Sequence, residues 1–261
     1  MPNSNRKDIR AFILSVENQP RNLDLIKDLH KLKIQYQIVT GATPELAFKY
    51  SQSKEFEGNF RAIMSKQQMA CTYGHRLMFE ESMKCQESFF LFLEDDAVLD
   101  IGNLEKILLQ LVHLPKGIVL LGACGGFARG HLQIDDFQVL RTVGDTAAGS
   151  HAYLVNKESI PDLHQGTDGC KFLADSFSRK ETGLFIVVPY CASQLKDSFT
   201  YIPLKSKQEK HSKLRNLLAP LKMDLIDYYR TGIFGGRFLR LPVIEKYSEK
   251  IFVKLPGCTS D

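Results

Sequence analysis

Three consecutive carboxylates, Glu94, Asp95 and Asp96, close an unbroken apolar run, Phe89-Phe90-Leu91-Phe92-Leu93. Acids this close repel one another unless a cation neutralises them, and their hard oxygens suit Mg or Mn. A divalent metal ion is the candidate that the triplet points to. A water-exposed junction of the same residue types would do no chemistry. The apolar run favours the first reading: five apolar residues in a row read as a strand buried on both faces of a parallel sheet, and open α/β sheets bind ligands at the carboxyl ends of such strands.

The elements that must position this edge follow an α/β rhythm. Ile9 to Val16 reads as a first strand, Asn18 and Pro20 as a helix start ahead of Leu25, Leu29 and Leu32, and Tyr36 to Thr40 as a second strand stopped by Gly41. Strand, helix and strand form a right-handed βαβ unit. Pro44 to Ala62 is polar and reads as an irregular surface excursion. Ser65-Lys66-Gln67-Gln68 has the form of a capping box, and Met69, Ala70, Tyr73 and Leu77 form the apolar stripe of a helix running to about Lys84. Beyond the acids, Leu104 to Val112 reads as a helix and Ile118 to Leu121 as a buried strand. Gly122 to Gly130 reads as a glycine-rich loop, and Gln138 to Leu140, Ala152 to Val155 and Leu184 to Val188 as further strands.

Composition sets the class. The chain has 261 residues, 44% hydrophobic and 25% charged, enough apolar material for one large α/β domain with room for an extension. The N-terminus has no secretory h-region and no stretch approaches a spanning helix, so a cytoplasmic location is expected. The six cysteines lack C-x-x-C or Cys/His spacing, which argues against a zinc site and a disulfide framework and marks several as small buried hydrophobes. From residue 201 onward twelve Lys/Arg stand against six Asp/Glu, so the formal charge of +4 belongs to the tail. The tail has no nucleic-acid motif, and an anionic membrane surface is the expected partner.

The order of motifs resembles the family 25 glycosyltransferases, which include bacterial lipooligosaccharide galactosyltransferases. The resemblance rests on Ile13-Leu14-Ser15-Val16-Glu17-Asn18-Gln19-Pro20-Arg21, Gly41-Ala42, Cys71-Thr72-Tyr73-Gly74-His75, Leu93-Glu94-Asp95-Asp96, Gly149-Ser150-His151-Ala152-Tyr153-Leu154 and Ala174-Asp175-Ser176. Together these span roughly residues 9 to 200. One departure stands out: Gly74 occupies the place before the helix histidine where the family usually has Ser.

The resemblance implies an α/β fold of the GT-A type with a mostly parallel central sheet over residues 1–205; the tail over 206–261 matches nothing in the family and reads from its own pattern as a basic helical extension. The resemblance also implies an inverting, metal-dependent hexosyltransferase, moving galactose from UDP-galactose onto a lipooligosaccharide or other lipid-linked glycan. Asp96 is then the expected ligand of Mn or Mg, Glu94 a second candidate ligand or a ribose or metal-water contact, Asp95 a further member of the site, and Asp175 the general base that takes the acceptor proton. Arg21, beside the first helix, is expected at the diphosphate or uridine, and His151 at a polar contact in the site. An N-cap role for Asp175 and a solvated surface role for Arg21 remain alternatives, and His75 reads equally as a core histidine. Tyr153 reads as structural.

The loop Gly122-Ala123-Cys124-Gly125-Gly126 lacks a dinucleotide or P-loop fingerprint and reads as a flexible lip. No nucleophile motif supports hydrolysis by a triad. Two rival functions stay open: a metal-dependent nucleotidyl- or phosphotransferase, and a glycan-binding protein without turnover. In the tail, Leu214, Leu217, Leu218, Leu221, Leu225 and Tyr228 recur at helical spacing among Lys213, Arg215, Lys222 and Arg230, a pattern suited either to a helix docked on the domain with its basic face in water or to peripheral attachment on the cytoplasmic face of the inner membrane.

Overall fold

A computed structural model describes residues 8–16, 20–53, 65–123, 127–142, 149–170, 183–195 and 253–254. Among these, nine strands form one sheet. Its N-terminal half is the expected βαβ unit. β1 (Ile9–Ser15) lies parallel to β2 (Gln35–Thr40) on one side and to β3 (Phe89–Glu94) on the other. Parallel pairing continues only between β5 (Ile118–Leu120) and β9 (Leu184–Val188). The sheet is therefore mixed, because β8 (Ala152–Asn156) runs antiparallel between β3 and β5, and β7 (Phe137–Thr142) antiparallel to β9 and to β6 (Phe127–Ile134). The two-residue β11 (Val253–Lys254) pairs with β6, which completes the order β11-β6-β7-β9-β5-β8-β3-β1-β2. The rest of the 206–261 extension, including its predicted amphipathic helix, lies outside the described residues.

Side-chain alternation along β1 and β3 divides the core into two layers. Ala11, Ile13, Leu91 and Leu93 face one side, with Leu25 and Leu29 of α1 (Asp24–Lys31) and Leu104 and Ile107 of α4 (Ile101–Leu108). Phe12, Phe90 and Phe92 face the other, under Met78 and Phe79 of α3 (Lys66–Met83). Phe92 is the hub of that layer: it stacks on Phe12 and Tyr153 at 5.7 and 5.2 Å and meets Phe79 edge-on at 5.1 Å. β3 is thus buried on both faces, as its unbroken apolar run predicts. Such an aromatic side chain contributes several kcal/mol, about 3–5 on truncation to Ala.

Local chemistry explains the helix ends. Ser65 Oγ accepts from the Gln68 N–H while Gln68 Oε1 accepts from the Ser65 N–H, the predicted capping box. The buried face of α3 differs from the predicted stripe. Thr72, His75, Arg76, Met78, Phe79 and Ser82 are buried along with Met69, whereas Ala70, Tyr73 and Leu77 are only partly covered. Polar residues with partners inside the fold shifted that face, a feature that apolar periodicity does not register.

Four boundaries also differ from the expectation. The first helix begins at Asp24, later than the start expected near Pro20, just after Asn22 whose Oδ1 accepts from the Asp24 N–H; Asn18 lies outside the described residues. The supposed excursion after Pro44 begins with α2 (Pro44–Gln52), capped by Thr43 with Pro at the first turn. α4 starts earlier than Leu104 because Asp100 caps it, and a 3-10 turn over Leu111–His113 follows its end. The glycine-rich loop ends sooner than Gly130, since β6 already runs from Phe127 and its pairing with β7 shifts register between Arg129 and Leu132.

Two short elements bind the acidic end of β3 to the C-terminal part of the sheet. β4 (Ala97–Leu99) pairs antiparallel with β10 (Ala192–Gln194). Nearby, Gly122 carries backbone where no Cβ fits: one added there would lie 2.2 Å from the Ala192 carbonyl oxygen and 2.7 Å from His151 Nε2. Gly122 and Ala123 are therefore packed rather than a flexible lip, and residues 124–126 lie outside the described ones. Gly122→Ala is expected to lower unfolding free energy by about 2–3 kcal/mol, read by urea denaturation, because the obstructing atoms include backbone.

Candidate functional site

The carboxyl ends of β1, β3, β5 and β9 and the start of β8 meet at one edge of the sheet, and there the acids gather. Glu94 ends β3, and Asp95 and Asp96 form the turn into β4. Asp95 is 7% exposed and Asp96 1%, so the predicted acidic edge is a buried pair rather than a solvated junction. Hydrogen bonds to its backbone carbonyls hold the turn from both sides. The Asn22 N–H donates to the Asp95 carbonyl at 2.8 Å, Asn22 Nδ2 to the Ala97 carbonyl at 2.6 Å, and the Leu195 N–H to the Asp96 carbonyl at 3.0 Å.

Arg21 supplies the neutralising charge. Its Nε and Nη2 donate to Asp95 Oδ1 at 2.7 and 2.6 Å, and Nη2 also reaches Asp96 Oδ2 at 3.1 Å. Arg21 is at once an exposed arginine and the partner of the acids. Arg21 lies in the acidic site, bridging the two aspartates.

Glu94 has different company. Its Oε1 accepts from Ser150 Oγ at 2.5 Å and lies 3.3 Å from His75 Nε2, while His75 Nδ1 bonds Tyr153 Oη at 2.7 Å. A proton on Nε2 closes this chain from Tyr153 to Glu94. Burial pushes the Glu94 carboxyl up, but hydrogen bonds from His75 and Ser150 and the charge of the histidines outweigh it and bring it down to about 2. Cys71 Sγ, His75 and Glu94 each offer a ligand atom within 4.8 Å of the others. The bonds from Tyr153 and Ser150 already account for His75 and Glu94, so no ion is needed to explain the cluster.

His75 and Tyr153 are fully buried and stacked at 5.7 Å, a core pair whose polar atoms serve the site. His151 is 1% exposed, and its carbonyl accepts from the Glu94 N–H at 2.9 Å, continuing the β3–β8 ladder. Gly74 sits where a Cβ would lie 2.8 Å from both methyl carbons of Leu14, so α3 approaches β1 closely at this position. Its departure from the family's Ser thus has a packing correlate.

Ser150 and Asn22 are the site residues that sequence reasoning missed. Ser150 becomes visible only from the β3–β8 register, which pairs Leu93 with Ala152 and so brings the residues before β8 against Glu94. Asp175 lies outside the described residues. The turn that precedes its segment is anchored: Asp168 Oδ1 accepts from Tyr50 Oη at 2.6 Å, and Arg76 donates to the His164 carbonyl at 2.7 Å. None of the four described cysteines forms a disulfide; Cys170 and Cys191 are buried, and burial pushes the Cys191 thiol up to about 12.

The oxygen donors of Asp95 and Asp96 suit a hard divalent cation, and the residues present therefore fit the Mg or Mn that the sequence suggests. An α/β sheet that gathers buried acids and an arginine at the carboxyl ends of its parallel strands has the layout of a ligand-binding edge in this fold class. Residues 8–124, a little under half of the chain, match the family model described as glycosyltransferase family 25 (LPS biosynthesis protein). The match bears out the sequence resemblance over that stretch.

No curated protein matches the chain. Three solved structures show a distant likeness. A197 from STIV is 14% identical, with 70% of this chain and 82% of that one covered and a TM-score of 0.40. Mannose-1-phosphate geranyltransferase from Thermus thermophilus is 10% identical, with 69% and 73% covered and a TM-score of 0.40. UTP-bound UGPase from Acinetobacter baumannii is 10% identical, with 68% and 85% covered and a TM-score of 0.38. Likenesses this loose carry no argument about the site.

The Glu94 network makes a pH prediction. Because its folded value is depressed from 4.5, the ionised carboxylate contributes stability that is fully present above about pH 4.5 and is lost as pH falls towards 2. The depression corresponds to about 3 kcal/mol. Glu94→Gln is expected to be less stable at neutral pH and to show a correspondingly flatter loss of stability between pH 4.5 and 2 in thermal melts. An unchanged acid limb would mean that Glu94 is not held by this network.

Proposed function

We propose that the protein is an inverting glycosyltransferase of GT-A type that transfers a hexose, galactose from UDP-galactose, to a sugar of a lipooligosaccharide or other lipid-linked glycan. The observation that carries this reading is the buried Asp95–Asp96 pair bridged by Arg21 at the carboxyl end of β3, within the stretch that matches family 25. Transfer breaks the bond from the sugar to an anionic diphosphate, so a site that manages concentrated negative charge is what the chemistry requires.

Each group has a part in that reaction. Asp96, with Asp95, would hold Mn or Mg, which when bound supplies neutralisation of charge on the leaving UDP. Arg21 binds a diphosphate oxygen pair through its planar fork. Glu94, fixed by Ser150 and His75, would contact the ribose or water beside the cation. His151, whose carbonyl holds the Glu94 backbone, makes a further polar contact there. Asp175 takes the proton from the acceptor hydroxyl as it attacks. The basic extension over 206–261 holds the enzyme at the anionic cytoplasmic face of the membrane where such an acceptor resides. Among the described residues no helix is long and apolar enough to cross a membrane.

A screen of nucleotide sugars with Mn or Mg, scoring slow release of free UDP, tests the donor. Asp96→Asn is expected to lower that release by roughly 100-fold or more with the fold retained, and Asp175→Asn to depress transfer to acceptor by a similar factor while donor binding changes little. Pyrophosphate release would favour a nucleotidyltransferase instead, and binding without turnover a glycan-binding protein.

The extension has its own test. The full chain is expected to bind vesicles containing anionic lipid at low salt and to leave them as salt rises, since each basic residue near such a surface contributes about 1 kcal/mol. Sedimentation with neutral and anionic vesicles reads this directly. Indifference to anionic vesicles at low salt would remove the membrane role.

A further inference from the structure

The described site contains a competition that its residue types alone do not reveal. Arg21, proposed above for the diphosphate, is engaged with both aspartates proposed for the cation. Two contacts to Asp95 Oδ1 at 2.7 and 2.6 Å and one to Asp96 Oδ2 at 3.1 Å commit both Nε and Nη2 of the guanidinium. The same planar fork matches a pair of phosphate oxygens. It cannot serve both partners with those two nitrogens.

We propose that Arg21 is an exchangeable counter-ion, which holds Asp95 and Asp96 in the absence of nucleotide and passes to the diphosphate when a nucleotide sugar binds, so that cation binding depends on nucleotide binding. This rests on the reading of the site as a diphosphate and cation site. Electrostatics drive the exchange in both directions. Asp95 and Asp96 are almost fully buried, and without a cation between them their two charges would repel at close range. One guanidinium offsets part of that repulsion, and a divalent ion offsets more. A divalent ion arriving while Arg21 is in place meets a like charge, and that charge is withdrawn from the two carboxylates when the diphosphate engages the guanidinium.

The backbone determines which part moves. Asn22 is fastened by its N–H to the Asp95 carbonyl and by its side chain to the Ala97 carbonyl, so the residue following Arg21 stays beside the acidic turn. The exchange is therefore a rotation of the arginine side chain about its own torsions. That side chain is 32% exposed, against 9% and 2% for its two partners, so it has solvent to turn into while the aspartates do not. Linkage makes the consequence reciprocal: nucleotide strengthens the cation by the same factor as the cation strengthens nucleotide.

The test measures Mn binding to the full chain, by electron paramagnetic resonance of free Mn and by calorimetry, with and without UDP. Arg21→Gln is expected to bind Mn roughly ten-fold or more tightly than wild type without nucleotide. The factor by which UDP improves Mn binding should shrink by a similar amount. Thermal melts give a second readout: Arg21→Gln should melt lower without metal and regain stability in millimolar Mn, and the double variant with Asp96→Asn should not respond. If Arg21→Gln does not fold, Arg21→Met, which keeps the aliphatic stem, carries the same comparison. Mn binding in the folded variant that is within about two-fold of wild type, or weaker, overturns the exchange while leaving the cation site intact. Failure of Mn to bind either protein, even with UDP, overturns the cation site and the exchange together.

Discussion

Two aspartates buried side by side cannot stand unneutralised, and the architecture around Asp95 and Asp96 follows from that constraint. The strand that delivers them is sealed between α3 on one face and α1 with α4 on the other, which leaves its carboxyl end as the place where polarity can emerge. Asn22 and Leu195 then clamp the turn from opposite sides. Arg21 is placed against the carboxylates because its neighbour is one of those clamps. Position and charge are therefore supplied by the same short segment.

Beside this pair lies a second polar system that works differently. Glu94 is tied to helix α3 through His75 and to the start of β8 through Ser150, and His75 is in turn tied to Tyr153 within β8. The adjacent carboxylates thus divide: two answer to an arginine that has solvent beside it, and one to a fixed internal network. The first arrangement can be remade around a ligand at little conformational cost, and the second keeps its shape.

Much of the scaffold was legible because it depends on local signals. The apolar run of β3, the Ser65 capping box and the Gly41 stop each write their element into a few adjacent residues, and the acids at the end of β3 could be placed at a ligand edge from that strand alone. What was illegible depends on pairing at a distance. The antiparallel insertion of β8 made the sheet mixed, and only its register brings Ser150 to Glu94. Polar residues on the buried face of α3 hid that face from a reading based on apolar spacing. α2 was overlooked although Thr43-Pro44 is an ordinary cap, because its composition looked like a loop.

The insertion of β8 also bears on how the molecule comes into being. β3 and β5 both precede β8 in the chain, yet they do not touch as sheet neighbours, since β8 lies between them and pairs with each. Until residue 156 has been made, both strands present unpaired backbone edges of the kind that invites mispairing. The stretch matching family 25 ends at residue 124, before this strand, and so does not by itself contain the strand that joins β3 to β5. During synthesis the acidic turn must wait for a segment about 60 residues further on, a non-local closure of the sort that slows folding. Glu94 acquires Ser150 at that same moment, so the joining of β3 to β5 and the fixing of Glu94 are one event.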